Sequence, residues 1–196
     1  MKRSISKILI LAFVLVLTGC SSSDDDFEET TLIVEKRGRV IEKIVEPFGK
    51  DYYDINELKS EFEKSVADYN ASIGGDEIEL NKIELKDSKV YVNIEFNGPS
   101  DYQSFIGESL FVGTVSDAYD NGYTMDVVLK GVKDGDKIEK VQIMGMNDRT
   151  IIILSEHVRI KTFRDIAYVS ANVDVIDDRE ARVLSESEGL AYLILD

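Results

Sequence analysis

The 196-residue chain contains no tryptophan, one histidine, one cysteine and two prolines. Zinc centres draw three or four ligands largely from histidine and cysteine. A Cys–His nucleophile needs one of each, properly placed. His157 and Cys20 are the sole members of their types, so no metal site of that kind and no such catalytic pair is expected. A single cysteine also forms no disulfide within the chain. There is no G-x-S-x-G elbow, no phosphate-binding glycine loop and no H-E-x-x-H pair. Lysine and arginine are scarce, 23 against 38 aspartates and glutamates, for a formal charge of −15. Nucleic-acid binding requires basic side chains to neutralise phosphates, so no nucleic-acid partner is expected. No bilayer-length apolar run follows Leu17.

What is present begins at the amino terminus. Lys2, Arg3 and Lys7 precede an apolar run from Ile8 to Leu17, and Thr18, Gly19 and Cys20 follow. Ten residues at about 1.5 Å each cover about half of a ~30 Å hydrocarbon core, too short to span it as a helix. A positive segment, an apolar segment and small residues are the order of an export signal. A plain secretory signal favours an A-x-A-like end, whereas Thr18-Gly19 runs directly into the only cysteine.

Leu17-Thr18-Gly19-Cys20 resembles the lipobox of bacterial lipoprotein signal peptides. The resemblance implies cleavage between Gly19 and Cys20. It also implies a diacylglycerol on the Cys20 sulfur, sometimes with a third acyl chain such as palmitate. One acyl chain holds a protein weakly and two hold it firmly, at about 0.8 kcal/mol per buried CH₂. The implied location is the cell membrane, facing away from the cytoplasm, with the membrane as a partner through the lipid.

Loss of residues 1–19 removes Lys2, Arg3 and Lys7 and no acid, leaving a charge of −18. Residues 20–30 read as a tether, because Ser21-Ser22-Ser23-Asp24-Asp25-Asp26 cannot build a core. Those aspartates lack the spaced ligands and glycine turn of a calcium loop. Residues 31–196 suffice for a single domain, with a possible subdivision near residue 122.

Within that domain the pattern predicts an α+β fold, with antiparallel-rich sheets, two or three helices early and a β-rich second half. Two strands are expected on either side of Gly38. Asp54 and Glu57 form the signature of a capping box, and Tyr53 with Leu58 that of a hydrophobic staple. Leu58, Phe62, Val66 and Tyr69 then give one apolar helix face, stopped at Gly74-Gly75. Val90, Val92, Ile94 and Phe96 alternate cleanly. Their partner strand slips parity between Leu80 and Ile83, which predicts a bulge near Asn81-Lys82. Ser100 to Gln103 reads as a second capping box, and a third helix covers roughly 114–121. Later strands are expected at 124–131, 137–144, 150–154, 157–162, 165–170, 172–176 and 190–195. The runs at 151–154 and 190–195 do not alternate, which places them at a sheet centre.

Asp51-Tyr52-Tyr53, Glu57-Leu58, Tyr69-Asn70, Asp101-Tyr102 with Phe105, and Leu110-Phe111 with Gly113-Thr114 resemble uncharacterised lipoproteins of Gram-positive anaerobes. That resemblance implies a single-membrane envelope and transfers no catalytic residue and no cofactor.

Other features have plain readings. His157 shares a strand face with Arg159 and Lys161 and is expected in solvent, with Val158, Ile160 and Thr162 inward. Asp174, Asp177, Asp178 and Glu180 read as a polar loop, Asp134-Gly135-Asp136 as a hairpin turn, and Met144-Gly145-Met146 as a strand end. Tyr52-Tyr53 could stack on sugars, although a staple accounts for Tyr53. Three functions stay open: a non-enzymatic envelope-binding module, a hydrolase using two carboxylates, and a carrier of small ligands or metal. The first is the leading expectation, with an envelope protein as its partner.

Overall fold

In the computed structural model of the chain, residues 27–185 and 189–196 are described. Gly19 and Cys20 lie outside them.

β1 (Thr31–Val34) and β2 (Val40–Pro47) pair antiparallel across a turn in which Gly38 adopts φ +87°. α1 (Ile55–Ile73) starts at Asp54, whose side chain accepts from the Asn56 and Glu57 amides. It ends at Gly74 in the left-handed conformation, as its sequence signals require. β3 (Ile78–Lys86) and β4 (Lys89–Phe96) form the next hairpin. The register shifts between Leu80 and Lys82, so the predicted bulge is present. It returns Ile83 and Leu85 to the face of Val92 and Val90. α2 (Pro99–Ile106) begins earlier than the Ser100 capping box predicts. Gly98 is the cap and Pro99 opens the helix, a position where the missing amide hydrogen costs nothing.

β5 (Leu110–Thr114) leads into α3 (Val115–Asp120), whose cap is a reciprocal Thr114–Asp117 box. β6 (Leu129–Gly131) and β7 (Lys137–Ile138) are shorter than expected. Where the pattern predicts the rest of a strand there is α4 (Lys140–Met144), with Glu139 and Gln142 capping each other. Helical geometry explains why Ile143 is buried while Val141, two residues away, is 83% exposed. Met144-Gly145-Met146 is therefore the end of this helix rather than of a strand. β8 (Thr150–Leu154), β9 (Arg159–Lys161), β10 (Ile166–Ser170) and β11 (Val173–Asp177) follow. β12 (Glu180–Val183) stands where the sequence pattern suggests loop, and it pairs with β11. β13 (Ala191–Leu195) is the last strand.

The strands make two sheets, ordered β11-β12-β9-β1-β2-β4-β3 and β5-β8-β13-β10-β6-β7. Apart from the parallel β1–β9 pair, every pairing among the described strands is antiparallel. The fold is α+β. One core lies between the sheets, built from Leu32, Ile94, Phe96, Ile152, Leu154 and Leu193 among others, with α1 and α2 contributing Val66 and Tyr102. A second core lies on the other face of the six-stranded sheet, where α3 and α4 pack Ala118 and Ile143 against Ile151, Ile153 and Ile194. β8 and β13 are interior strands with both faces covered, which is why neither alternates.

Candidate functional site: a proton-sharing carboxyl pair

Even-numbered residues of β2 face the other sheet. Val40 is fully buried, and Glu42, next in that row, is 2% exposed. Its cross-strand neighbours are Leu32 on β1 and Ile94 on β4, both apolar. An acid in this position must find a partner or lose its charge.

The partner comes from the connection between the two sheets. β8 ends at Leu154, and Ser155-Glu156-His157 carries the chain across to β9. There Glu156 hydrogen-bonds Glu42. Tyr102 of α2, fully buried with its ring edge-on to Phe96 at 5.4 Å, donates its hydroxyl to Glu156. Glu108 stands behind, accepting from the Ser155 hydroxyl at 2.6 Å, while the Ser109 amide donates to Ser155 Oγ at 2.8 Å.

Two ionised carboxylates offer only acceptors, so a hydrogen bond between them requires a shared proton. Burial, then the charge of Glu156, then the hydrogen bond to it push the Glu42 pKa up to about 8. Burial raises Glu156 as well, opposed by the hydrogen bonds from Tyr102 and Glu42 and by the nearby charge of His157. At neutral pH Glu42 is thus the acid that donates, and Glu156 the carboxylate that accepts twice. Burial and the surrounding carboxylates raise the Tyr102 phenol, keeping it a donor. Glu42 Oε2 meets no donor among the described residues, a further reason for this carboxyl to stay neutral.

This pair holds one proton inside the protein. Proton-sharing acid pairs can activate water in proteases, but here Glu42 is sealed at 2% exposure and only the half-buried Glu156 reaches the surface. Glycosidases space their acids about 5–9.5 Å apart to admit the sugar. Glu42 and Glu156 are in direct contact and leave no such gap. Among the described residues, no group of three or more His, Cys, Asp and Glu could hold a metal ion.

Tyr102→Phe removes a donor from a half-buried carboxylate and little volume. It is expected to cost about 1.5–3 kcal/mol, the range for hydrogen bonds to charged groups. Urea denaturation followed by circular dichroism checks this, and an unchanged midpoint would mean the hydroxyl contributes nothing.

The residues singled out from sequence do not converge on this pair. His157 is exposed, while Val158, Ile160 and Thr162 point inward as predicted. His157 adjoins the site through its charge interaction with Glu156. Asp174, Asp177, Asp178 and Glu180 are divided between two strands and their turn. Glu180, 8% exposed, ion-pairs with Arg159 and sits 3.8 Å from Lys161, so the polar-loop reading fails for it. Asp134 and Asp136 do form the β6–β7 turn, with Gly135 at φ +75° and the Asp136 amide on Asp134 Oδ1 at 3.0 Å. Tyr53 stacks on Phe48 at 4.8 Å, with Tyr52 edge-on to it at 4.9 Å.

A separate groove of about 710 Å³ lies between α1 and the edge strand β3, lined by Val66, Ala67, Ala71 and Leu80 with Glu63 and Asp76. Neither Glu42 nor Glu156 lines it. No protein-family model, curated protein or solved structure matches the chain.

Proposed function

We propose that the protein is a lipid-anchored module on the outer side of the cell membrane that binds an envelope component and does not turn over a substrate. The observation that carries this reading is Leu17-Thr18-Gly19-Cys20, with Cys20 seven residues before Phe27. Phe27 lies edge-on to Tyr91 at 5.7 Å, and Glu29 accepts hydrogen bonds from Arg182 at 2.5 Å and Arg159 at 3.3 Å. Arg182 is the main cause of the lowered Glu29 pKa, so this clasp stays ionised at neutral pH. A binding role is supported by the direct contact of Glu42 with Glu156, which leaves no room for a sugar between the two acids, against the alternative of a carboxylate hydrolase. The α1–β3 groove favours a second reading, a small-ligand carrier, because its volume falls in the range of ligand sites.

Crosslinking in the native cell, with the full-length protein as bait, tests the leading reading. A stoichiometric envelope partner is expected. A blank with folded protein present would reject that reading in favour of the carrier. Cys20→Ala is expected to release the protein from membranes or leave the precursor uncleaved. A processed Cys20→Ala protein still retained at the membrane would overturn the anchor.

A further inference from the structure

β1 begins where the tether ends, and β2 runs antiparallel to it, with Thr31 opposite Lys43. The far end of β2, where Pro47 faces Lys89 of β4, therefore lies on the side from which the tether arrives. The loop beyond it is fastened there, because the Phe48 amide donates to the Ser88 carbonyl at 2.7 Å. It gathers three aromatic rings. Tyr53 stacks on Phe48, Tyr52 packs edge-on to Tyr53, and Lys50 lies 5.6 Å from both tyrosine centroids. Tyr52 is 74% exposed, and Leu85, at the same end of the sheet, is 45% exposed.

We propose that this end of the seven-stranded sheet rests on the bilayer, with Phe48, Tyr52 and Tyr53 at the level of the lipid headgroups. The proposal rests on the lipid-anchor reading. Phe27 comes seven residues after Cys20, and a fully extended chain of that length reaches about 25 Å. Phe27 is held in place by Tyr91 and by Lys43, whose ammonium lies 5.3 Å over its ring. The tether thus keeps this end of the domain close to the membrane. Tyrosine suits the interface because its ring is apolar and its hydroxyl wet, and the Lys50 stem can lie along the rings while its ammonium stays in water. Lys50, Lys86 and Lys89 are interspersed with Glu46, Asp51, Asp54 and Asp87, so the rings rather than net positive charge make the contact. Elsewhere a chain of charge −18 is repelled by anionic headgroups, which favours this one orientation.

The absence of native tryptophan supplies the test. Tyr52→Trp puts a single reporter in the aromatic loop. Arg37→Trp puts it in the exposed β1–β2 turn, at the opposite end of the eight-residue strand β2, roughly 27 Å away. Each full-length lipidated protein is reconstituted into phosphatidylcholine vesicles with and without brominated phosphatidylcholine, and floated on a density gradient. The expected result is flotation of both, with several-fold stronger bromine quenching at position 52 than at 37. Flotation with equal or absent quenching would overturn the seating and leave the anchor standing. Failure to float would overturn the anchor reading and the seating with it.

Discussion

Glutamine in place of Glu42 is expected to make the protein more stable at pH 7, by about 2–3 kcal/mol, or roughly 5–10 °C in Tm. The sign follows from where the proton is held. In the unfolded chain Glu42 loses its proton near its ordinary value of 4.5, and in the folded protein only near 8. Between those values the native state binds more protons than the unfolded state, so stability falls as pH rises through that window. Below about 4.5 both states are protonated and the penalty is absent; above about 8 it is fully developed. Glutamine has no proton to lose, and its amide can still donate to Glu156. The groups facing position 42 are Glu156, from the β8–β9 connection, and Tyr102 from α2, with Glu108 and His157 acting on Glu156 behind them. Leu32 and Ile94 flank it on β1 and β4. None of these can offset an ionised Glu42 with a positive charge at hydrogen-bonding distance. Urea titrations of both proteins from pH 4 to pH 8 check the expectation. The curves should meet at the acid end and separate steadily toward pH 8. Parallel curves, or a less stable glutamine variant at pH 7, would show that Glu42 is not the proton-holding partner.

Parts of this arrangement are legible in the order of the amino acids. The β3 bulge is legible because parity in a strand is binary: Leu80 and Ile83 cannot share a face unless one extra residue intervenes. The start and stop of α1 are legible because Asp54 and Gly74 have few alternative uses. α4 is hidden because Val141 and Ile143 fit an alternating strand equally well, and only tertiary packing shows that one is bare and the other buried. β12 is hidden because Glu180 and Arg182 look like surface residues; their ion pairs with Arg159, Lys161 and Glu29 come from distant parts of the chain. The carboxyl pair leaves one local trace. Glu42 occupies the inward parity of a strand whose other inward residues are Val40 and Ile44, and an acid there signals either a functional group or a neutralised one. Its partner Glu156 is beyond the reach of local pattern, since the contact joins β2 to the β8–β9 connection across more than a hundred residues.

Leu193→Ala and Ile194→Ala should each cost about 2–5 kcal/mol, the range for truncating a fully buried leucine or isoleucine. On a strand with one wet face, one of two neighbouring substitutions would be nearly silent. Here both are at 0% exposure, because Leu193 projects into the core between the sheets and Ile194 into the core under α3 and α4. β8 repeats this arrangement with Ile152 and Ile153. The two cores therefore share a wall, and neither can melt without stripping one face from both strands. Calorimetry of each variant should show a single transition shifted to lower temperature whichever core is cut. Val141→Ala, on the bare side of α4, should stay within about 0.5 kcal/mol of the parent. Two separable transitions, one moved by Leu193→Ala and the other by Ile194→Ala, would mean that the two cores melt as independent units. A single transition would instead couple the Glu42–Glu156 proton to the stability of the whole domain, since Glu156 follows directly on β8, the strand whose two faces line both cores.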